Sequence, residues 1–519
     1  MDNANSDVIS FEDVAVRLHT RDNVAIAKVD LDADTVLTLN DAAGTSRVVI
    51  GAPIPSGHKV ALQPMAIGEP VRRYGQIIGY ATQSINPGEH VHTHNLGVQA
   101  FNRDYRFSAD VLPVEQVAPA DQRTFLGYKR PGRRTGTRNY VAVIAVVNCS
   151  AHTVRQIAHH FTPERLTAYP NVDGVIALTH AAGCASAKTD LVILQRTLAG
   201  MARHPNVGAT LLVGLGCETN QISDLVSNYD LGRHTPLRSL EIQALGGVHK
   251  TVQAGIAEVE ALLPLVNATP RTPQPLSALM LALQCGGSDG WSGVTANPLV
   301  GCVSDAVIAE GATVVLAETP EIYGAEHLLT RRAINQEVGE KLVSMVRWWE
   351  SHVERLGTEI DNNPSPGNKA GGLTTIYEKA LGAVAKSGHT PLMEVYDYAE
   401  PVDAQGFVFM NTPGYDPVTV TGQVAGGCNL ILFTTGRGSA FGFKPAPCVK
   451  ISTNHVLYQH MKDDMDFNAG KILTGGTMQQ VADELLNLVI AIASGQPSKS
   501  EAQGIGEEEF APWNMGGTL

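Results

Sequence analysis

The chain has 519 residues, 44% of them hydrophobic and 17% charged, a composition typical of a globular protein with about two to four domains. Its formal net charge is −13, and acidic and basic residues are interspersed, so it lacks the basic surface that nucleic acid partners need. No apolar run approaches the roughly 20 residues of a membrane span, and the acidic, polar start at 1–13 is unlike a signal peptide, so we expect a cytoplasmic protein without a membrane partner.

The cysteines are scattered singly along the chain. There are seven of them, an odd number, and none forms a CxxC pair. This pattern argues against the disulfide framework of a secreted protein. We therefore expect reduced thiols.

The first part of the chain predicts a small all-β module, because short runs rich in β-branched residues alternate with turns. The predicted strands are Val24–Val29, Arg47–Ile50, Lys59–Leu62, Gln76–Tyr80 and His90–His94. Prolines and acidic residues then replace the periodic pattern. We place the module at 1–100 and a linker at 101–125.

Three histidines at alternate positions, His90, His92 and His94, fall in the last predicted strand. Alternate side chains of a strand share one face. Several imidazoles on one face are unfavourable unless an anion or a metal lies among them. The segment therefore predicts a divalent metal site, and the alternative is an exposed strand edge with solvated histidines.

Residues 126–270 predict a middle α/β domain with a parallel sheet, because apolar runs alternate with helical stretches. The predicted strands are Val141–Val147, Gly174–Thr179 and Ala209–Leu215, and the predicted helices are Thr153–Phe161, Lys188–His204 and Val252–Leu263. Each predicted strand is followed by a cysteine, namely Cys149, Cys184 and Cys217. Because the carboxyl ends of parallel strands face the ligand crevice, these thiols form either an iron site or a reactive pocket, unless each is simply a small buried hydrophobe.

A Thr/Pro-rich boundary at Asn267–Pro275 precedes a second predicted α/β domain, residues 271–519. Its predicted strands are Ala278–Leu283, Thr313–Ala317, Pro391–Tyr396 and Asn429–Thr434, and its predicted helices include Glu337–Leu356 and Met478–Ile492. Polar residues cluster after these strands, which is where ligands bind in such sheets.

The first of these clusters is a glycine-rich loop, Gln284–Gly290, continued to Asn297. Its glycines let the backbone approach a ligand, and Ser288 and Asp289 present polar groups. The alternative is a turn into a helix whose N-cap is Asp289 or Thr295.

Carboxylates and cations follow the other strands. Glu318 and Glu321 are spaced to serve one pocket as base, acid or metal ligand. The loop Asn363–Gly372, with Lys369 as its sole cation, favours an anion-binding loop over a plain linker. Arg437 carries a planar guanidinium suited to bidentate capture of a carboxylate.

Taken in order, these motifs resemble the altronate/galactarate dehydratase family of sugar-acid hydro-lyases. The resemblance runs nearly end to end and rests on Gly57-His58-Lys59, Tyr74–Gly79, His92 and His94, Gly132–Asn139, Gly216-Cys217-Glu218, Cys285–Asn297, Asn363–Gly372 and Thr434–Gly438. His92 stands where the galactarate branch has an acidic residue, which favours the altronate branch. The resemblance implies an N-terminal SAF-type, β-clip-like module followed by two α/β domains with largely parallel sheets.

The resemblance also implies an activity and a cofactor. The reaction is dehydration of D-altronate to 2-dehydro-3-deoxy-D-gluconate in hexuronate catabolism, dependent on Fe²⁺ or, in its place, Mn²⁺ or another divalent cation. The expected metal ligands are His58, His92 and His94. The three cysteines remain an alternative iron environment, which leaves an iron–sulfur cluster open.

In the expected mechanism, Arg437 and Lys369 neutralise the carboxylate of the anionic sugar acid, and other polar groups complete the site. The expected substrate-binding residues are Ser288, Asn297 and Asn368, and the candidates for acid or base are Glu318, Glu321 and Asp289. Galactarate or another aldonate, aldarate or sulfonated hydroxy acid is the alternative substrate, and a non-catalytic sugar-acid sensor is the alternative of another class. A monomer and a homodimer are both compatible with the sequence.

Overall fold

The computed structural model describes residues 8–41, 44–99, 103–360 and 362–516. They form an N-terminal β module followed by two α/β regions with parallel sheets, which confirms the predicted fold class. Residues 1–7 and 100–102, the latter at the predicted start of the linker, lie outside the described residues. Within the described ranges, no helix combines the length and apolarity that crossing a bilayer requires.

The N-terminal β module consists of three small sheets, ordered β1-β4-β5, β2-β3-β6-β9 and β10-β8-β7. Its elements are β1 (Val8–Ser10), α1 (Phe11–Val14), β2 (Ala15–Val16), β3 (Val24–Ala27), β4 (Val36–Asp41), β5 (Gly44–Val49), β6 (Lys59–Ala61), β7 (Pro70–Arg73), β8 (Gln76–Ala81), β9 (His90–Val91) and β10 (Leu96–Gly97). All strand pairs are antiparallel except β1–β4.

The predicted strand His90–His94 is wrong, because pairing stops at Val91 and a turn follows. The Asn95 side chain holds this turn. Its Oδ1 accepts a hydrogen bond from the His92 amide at 2.9 Å, and its Nδ2 donates to the His90 carbonyl at 3.0 Å. A side chain that bonds its own backbone in this way competes with the strand ladder.

The segment from 103 to 123 lies against the C-terminal region. The Arg103 guanidinium and the Tyr105 hydroxyl donate to Glu326, at 2.8 and 2.6 Å. A two-stranded antiparallel ribbon follows, made of β11 (Thr124–Tyr128) and β16 (Arg271–Pro275). The ribbon brackets the middle domain, since the chain enters that domain after β11 and leaves it at β16.

The middle domain contains a four-stranded parallel sheet ordered β13-β12-β14-β15. Its elements are β12 (Tyr140–Ala145), α2 (Ala151–His159), β13 (Gly174–Leu178), α3 (Lys188–Ala202), β14 (Val207–Gly214), α4 (Ile222–Asn228), β15 (Leu237–Glu241), α5 (Ile242–Leu245) and α6 (Val248–Asn267). Alternate residues of β12 belong to two apolar clusters, and one of these clusters continues into the C-terminal domain through Met280 and Phe433. The two α/β regions therefore share a core.

The C-terminal domain contains a seven-stranded parallel sheet ordered β19-β20-β18-β17-β21-β22-β23. Its strands are β17 (Met280–Cys285), β18 (Thr313–Ala317), β19 (Leu392–Tyr396), β20 (Gly406–Met410), β21 (Leu430–Thr435), β22 (Cys448–Ser452) and β23 (Phe467–Asn468). Its helices are α7 (Ala296–Ala309), α8 (Glu326–Thr330), α9 (Gln336–Arg355), α10 (Pro366–Ala370), α11 (Ile376–Val384), α12 (Asp416–Ala425), α13 (His455–His460), α14 (Met478–Ala493) and α15 (Lys499–Ala502). Short 3₁₀ helices occupy 148–150, 276–278, 319–322, 385–387 and 469–474.

The connectivity of this sheet marks where a ligand binds. From β17 the chain passes to β18 on one side, and later to β21 on the other side. The strand order therefore reverses at β17 and β21, and ligands of open α/β sheets bind beyond the carboxyl ends of strands at such a point.

Candidate active site

A cavity of about 730 Å³ opens where the N-terminal β module meets the carboxyl ends of β17 and β21. Three residues that the sequence predicts for three different roles line it: His58, Asp289 and Arg437. We call this space the active-site cavity. It lies at the reversal point of the sheet, and the β module closes one of its sides.

Glycines allow the module to approach this closely. A Cβ atom at Gly290 would lie 2.1 Å from the carbonyl oxygen of Gly57, and one at Gly372 would lie 2.4 Å from the same atom. Any side chain at either position would push the module away. The glycines of both predicted loops therefore serve docking between parts of the protein.

A buried ionic cluster fastens the module to the C-terminal domain. The Lys59 ammonium donates to both oxygens of Glu378, at 2.9 and 3.0 Å, and the Arg73 guanidinium donates to one of them at 2.6 Å. Burial raises the pKa of Glu378, but Lys59 and Arg73 outweigh it and bring the value to about 2. Burial lowers the pKa of Lys59 to about 8, although Glu378 opposes this. Lys59 and Arg73 belong to the module and Glu378 to α11, so the charges meet only in the docked arrangement.

Three histidines of the module converge beside the active-site cavity. His58 Nδ1 lies 3.0 Å from His90 Nε2, and one ring nitrogen from each of His58, His90 and His92 lies within 4.8 Å of the others. Among the residues that the structure describes, no other set of three or more His, Cys, Asp or Glu converges in this way. We call this set the histidine triad. The His94 ring is 5.5 Å from that of His90 but lies outside the triad.

The triad is electrically suited to hold a metal. Burial, reinforced by the neighbouring imidazoles, lowers the pKa of His90 to about 3. Burial also lowers the pKa of His92 to about 4 and that of His58 below its usual value. Neutral imidazole is the form that binds metals, and three such nitrogens suit Fe²⁺ or Zn²⁺. Nδ1 of His92 is buried and has no hydrogen-bond partner among the described residues, as expected of a nitrogen reserved for a ligand.

Arg437 supplies a positive charge that forms no ion pair with any residue that the structure describes. It lies in the turn after β21, where its backbone N–H donates to the Gly287 carbonyl at 2.8 Å. Its side chain is exposed to the cavity. A guanidinium in this position can bind a carboxylate through two parallel hydrogen bonds.

Asp289 forms the wall next to Arg437. Its Oδ1 accepts from the Ser292 hydroxyl at 3.1 Å, and its Oδ2 accepts from the Thr453 hydroxyl at 3.0 Å and the Asn454 amide at 3.3 Å. Burial raises its pKa against these hydrogen bonds. A carboxylate with a raised pKa at a cavity wall can take a proton from a substrate.

The other predicted substrate-binding residues brace the loops. The Asn297 side chain donates to the Gly382 carbonyl at 2.9 Å and accepts from Thr434 at 2.6 Å. The Asn368 side chain takes part in the N-terminal cap of α10 and donates to the Ser288 carbonyl at 2.8 Å. Lys369 is half-buried on α10 and does not line the cavity. Contact of these residues with substrate stays a prediction.

Glu318 and Glu321 lie in a fully buried network after β18 and do not line the cavity. Glu318 accepts from the Gln284 amide at 2.6 Å, and Glu321 lies 2.5 Å from the Lys379 ammonium. Burial and the neighbouring Glu321 raise the pKa of Glu318. Burial also raises the pKa of Glu321, but Lys379 outweighs it and brings the value to about 2. An acid or base role for this pair stays a prediction.

The three predicted thiols lie after adjacent strands of the middle domain. Cys149, Cys184 and Cys217 are all exposed. Their loops are joined by hydrogen bonds from the Asn148 amide to the Ala182 carbonyl and from the Asn220 amide to the Gly183 carbonyl. The three sulfur atoms are not close enough together to surround a single ion, and iron binding by them stays a prediction.

Sequence reasoning missed two cavity residues, His455 and His460. Both lie on α13, whose N-cap residue Asn454 accepts from the Leu457 amide at 2.8 Å. A local signal exists, because Asn454 is an N-cap residue type two positions after the end of β22. It marks the same sheet edge as the other predicted loops.

Known proteins match nearly the whole chain. The family model described as "Altronate/galactarate dehydratase SAF domain" matches residues 13–99. "D-galactarate dehydratase/Altronate hydrolase, second domain" matches 127–267, and "D-galactarate/Altronate dehydratase, C-terminal" matches 276–518. The altronate dehydratase of Escherichia coli K12 is 36% identical over 97% of this chain and 99% of its own length.

The chain belongs to the altronate/galactarate dehydratase family. The altronate dehydratase of Bacillus subtilis 168 is 35% identical over 97% of this chain and 99% of its own length. The galactarate dehydratase (L-threo-forming) of Escherichia coli K12 is 35% identical over 93% of both chains. These matches confirm the family resemblance of the sequence, and the N-terminal β module is the SAF domain of this dehydratase family.

Proposed function

We propose that this dehydratase removes water from D-altronate and forms 2-dehydro-3-deoxy-D-gluconate. The observation that supports the proposal is one cavity shared by the Arg437 guanidinium, the Asp289 carboxylate and His58 of the histidine triad. A 2,3-dihydroxy acid needs a cation for its carboxylate, a base for the C2 proton and an electrophile near its hydroxyls. Two relatives that match almost their full length are altronate dehydratases.

The donor set fits Fe²⁺, and we propose that His58, His90 and His92 hold this ion or, in its place, Mn²⁺. A metal bound there would supply Lewis-acid catalysis for the dehydration. The triad would supply three protein ligands, which is the number that catalytic metal sites use.

The chain's own groups bind the carboxylate, remove the C2 proton and contact the leaving hydroxyl. Arg437 grips the carboxylate, and Asp289 takes the proton from C2. Asn468 sets the tautomer of His455. Its Oδ1 accepts from the Gly470 amide at 2.9 Å, so its Nδ2 is the donor to His455 Nδ1 at 3.0 Å. His455 Nδ1 therefore accepts this hydrogen bond, and its Nε2–H can donate a hydrogen bond to the hydroxyl that leaves C3.

Galactarate is the second candidate substrate. It carries a carboxylate at each end, and Lys28 lines the active-site cavity as a cation in addition to Arg437. A galactarate dehydratase also matches most of the chain. The Lys28 ammonium already donates to the Glu12 carbonyl at 2.6 Å, and this bond leaves it less available than the Arg437 guanidinium.

The test is anaerobic assay of keto-acid formation with Fe²⁺ over D-altronate, galactarate and other aldonates and aldarates. We expect the highest kcat/KM with D-altronate, and loss of turnover when the metal is chelated and restored when Fe²⁺ returns. A higher kcat/KM for galactarate would replace the proposed substrate. Sugar-acid binding without keto acid from any substrate would support a sensor instead.

A further inference from the structure

A second cavity, of about 370 Å³, lies where the middle domain meets the C-terminal domain. It shares no lining residue with the active-site cavity. One wall is the segment Gly132–Arg134, the start of a family motif to which the catalytic proposal gives no role. The loop 230–237 of the middle domain and Gly426 and Gly427 of the C-terminal domain form other walls.

Three arginines line this cavity: Arg133, Arg134 and Arg203. Burial lowers the pKa of all three guanidiniums, which means that their charges are incompletely compensated. In the described part of the chain, no carboxylate lies within ion-pair distance of any of them, although the more distant carboxylate of Asp403 partly compensates Arg134. The carboxylate of the lining, Asp230, pairs instead with the exposed Arg233 at 3.3 Å. Three half-buried guanidiniums around one cavity without a carboxylate in contact are unfavourable, and an anion in the cavity would neutralise them.

Two buried polar atoms of the same lining also have no partner. Arg133 donates from Nη1 to three carbonyls between the end of α3 and the start of β14, among them that of Arg203 at 3.1 Å. These hydrogen bonds satisfy only one of its nitrogens. Its Nε is buried and has no hydrogen-bond partner among the described residues. The Thr235 hydroxyl is also buried and has no hydrogen-bond partner among the described residues, and the residue is 4% exposed. Native proteins leave few buried polar atoms unsatisfied, so a pair in one cavity suggests a ligand.

We propose that this cavity binds a phosphate group, carried by a small metabolite or present as the free ion. A phosphate dianion offers oxygens to several guanidiniums and a hydroxyl at once, and guanidinium forks match its geometry. A single carboxylate could not satisfy three guanidiniums. The volume exceeds that of the ion and falls in the range of small-molecule pockets. Because both α/β domains line the cavity, the ligand would fix their relative arrangement.

Calorimetry on the full-length protein tests the site, with inorganic phosphate and a hexose 6-phosphate as probes and NaCl of equal ionic strength as the salt control. We expect saturable binding of at least one probe and a rise in Tm that NaCl does not produce. At least tenfold tighter binding of the hexose phosphate identifies a metabolite site, and equal or tighter binding of inorganic phosphate identifies an ion site. No binding of either probe, or a rise in Tm equal to that with NaCl, overturns the proposal.

Variants locate the binding. Arg134→Gln removes a guanidinium whose only described side-chain hydrogen bond is a 3.4 Å contact with Thr313, and we expect binding about tenfold or more weaker. Thr235→Val keeps the side-chain shape and provides a second test if Arg134→Gln fails to fold. Arg347→Gln, at an exposed position of α9 away from the cavity, is the matched control and should bind as the parent does. Unchanged affinity in the folded cavity variants, or an equal loss of affinity in the control, overturns the proposal. Neither result bears on the dehydration of sugar acids in the active-site cavity.

Discussion

Replacing Glu378 with Gln tests whether the SAF domain must be docked for the active site to form. The substitution keeps the shape of the side chain and removes its charge. Lys59 and Arg73, both essentially unexposed, would then face a neutral amide. Removing one partner of a buried ion pair costs about 3–5 kcal/mol, and here two cations lose the same partner. We expect a loss at the upper end of this range.

The loss should concentrate at the contact between the SAF domain and the C-terminal domain. Apolar residues such as Val71 and Ile78 share a cluster with Leu283 of β17, and these contacts remain in the variant. We therefore expect weakened docking and not a separated domain. Amide hydrogen exchange should increase in β6, β7 and α11, and kcat/KM should fall.

Glu394→Gln is the matched control. Glu394 also pairs with a lysine, Lys341 at 3.1 Å, but the two side chains are 37% and 43% exposed, and such surface pairs contribute about 0–1 kcal/mol. Urea unfolding and hydrogen exchange of both variants supply the comparison. If Glu378→Gln loses no more stability than Glu394→Gln, with unchanged exchange in β6 and α11, the ionic cluster does not hold the site together.

Four further outcomes follow from the geometry. Arg437→Lys should raise KM for D-altronate at least about tenfold in steady-state assays, because an ammonium cannot form the two parallel hydrogen bonds of a guanidinium. An unchanged KM would show that Arg437 does not bind the substrate carboxylate. In anaerobic metal analysis, His90→Ala should lose bound iron and His94→Ala should keep it. The reverse result would contradict the assignment of the metal to the histidine triad. Asp289→Asn should keep substrate binding in calorimetry but lose turnover at least about a hundredfold, and near-normal kcat would exclude it as base. In the folded protein the pKa of Glu378 is lowered from 4.5 to about 2, so the ionised carboxylate contributes its full stabilisation above pH 4.5 and loses it as the pH falls towards 2. In Glu378→Gln, the free energy of unfolding should fall less steeply between pH 4.5 and pH 2, as measured by urea unfolding at each pH.

The sheets and the sheet-edge loops could be predicted because their signals are local. A strand buried on both faces of a parallel sheet needs an unbroken apolar run, and Val141–Val147 and Thr313–Ala317 show one. The carboxyl ends of such strands meet at one edge, so polar residues just after them converge. That rule placed Asp289 and Arg437 at one cavity with no knowledge of the fold.

The histidine triad could not be specified by periodicity. A two-residue repeat puts His90, His92 and His94 on one face, but the repeat ends when Asn95 captures the backbone and turns the chain after Val91. Whether a short polar side chain bonds its own backbone or the solvent depends on surroundings that spacing does not encode. His58, from a different turn, takes the place that His94 would have had.

Spacing also cannot show whether an amide faces a ligand or holds a loop. Asn297 and Asn368 stand in the motifs that point to the site, yet their hydrogen bonds run to Gly382 and Ser288. Glu378 gave no signal at all, because its partner Lys59 lies 319 positions away in sequence. Ionic contacts of this range follow from the packing of whole domains.

The division of the site between two domains determines what each can do alone. The SAF domain carries the histidine triad that we propose as the metal site, and the C-terminal domain carries Arg437 and Asp289. A sugar acid must be held at its carboxylate and at its hydroxyls simultaneously if proton removal and hydroxide loss are to be coupled. Neither domain meets this requirement by itself. The close contacts at Gly290 and Gly372 and the charges around Glu378 are therefore as necessary to the proposed chemistry as the groups that touch the substrate, although they never contact it.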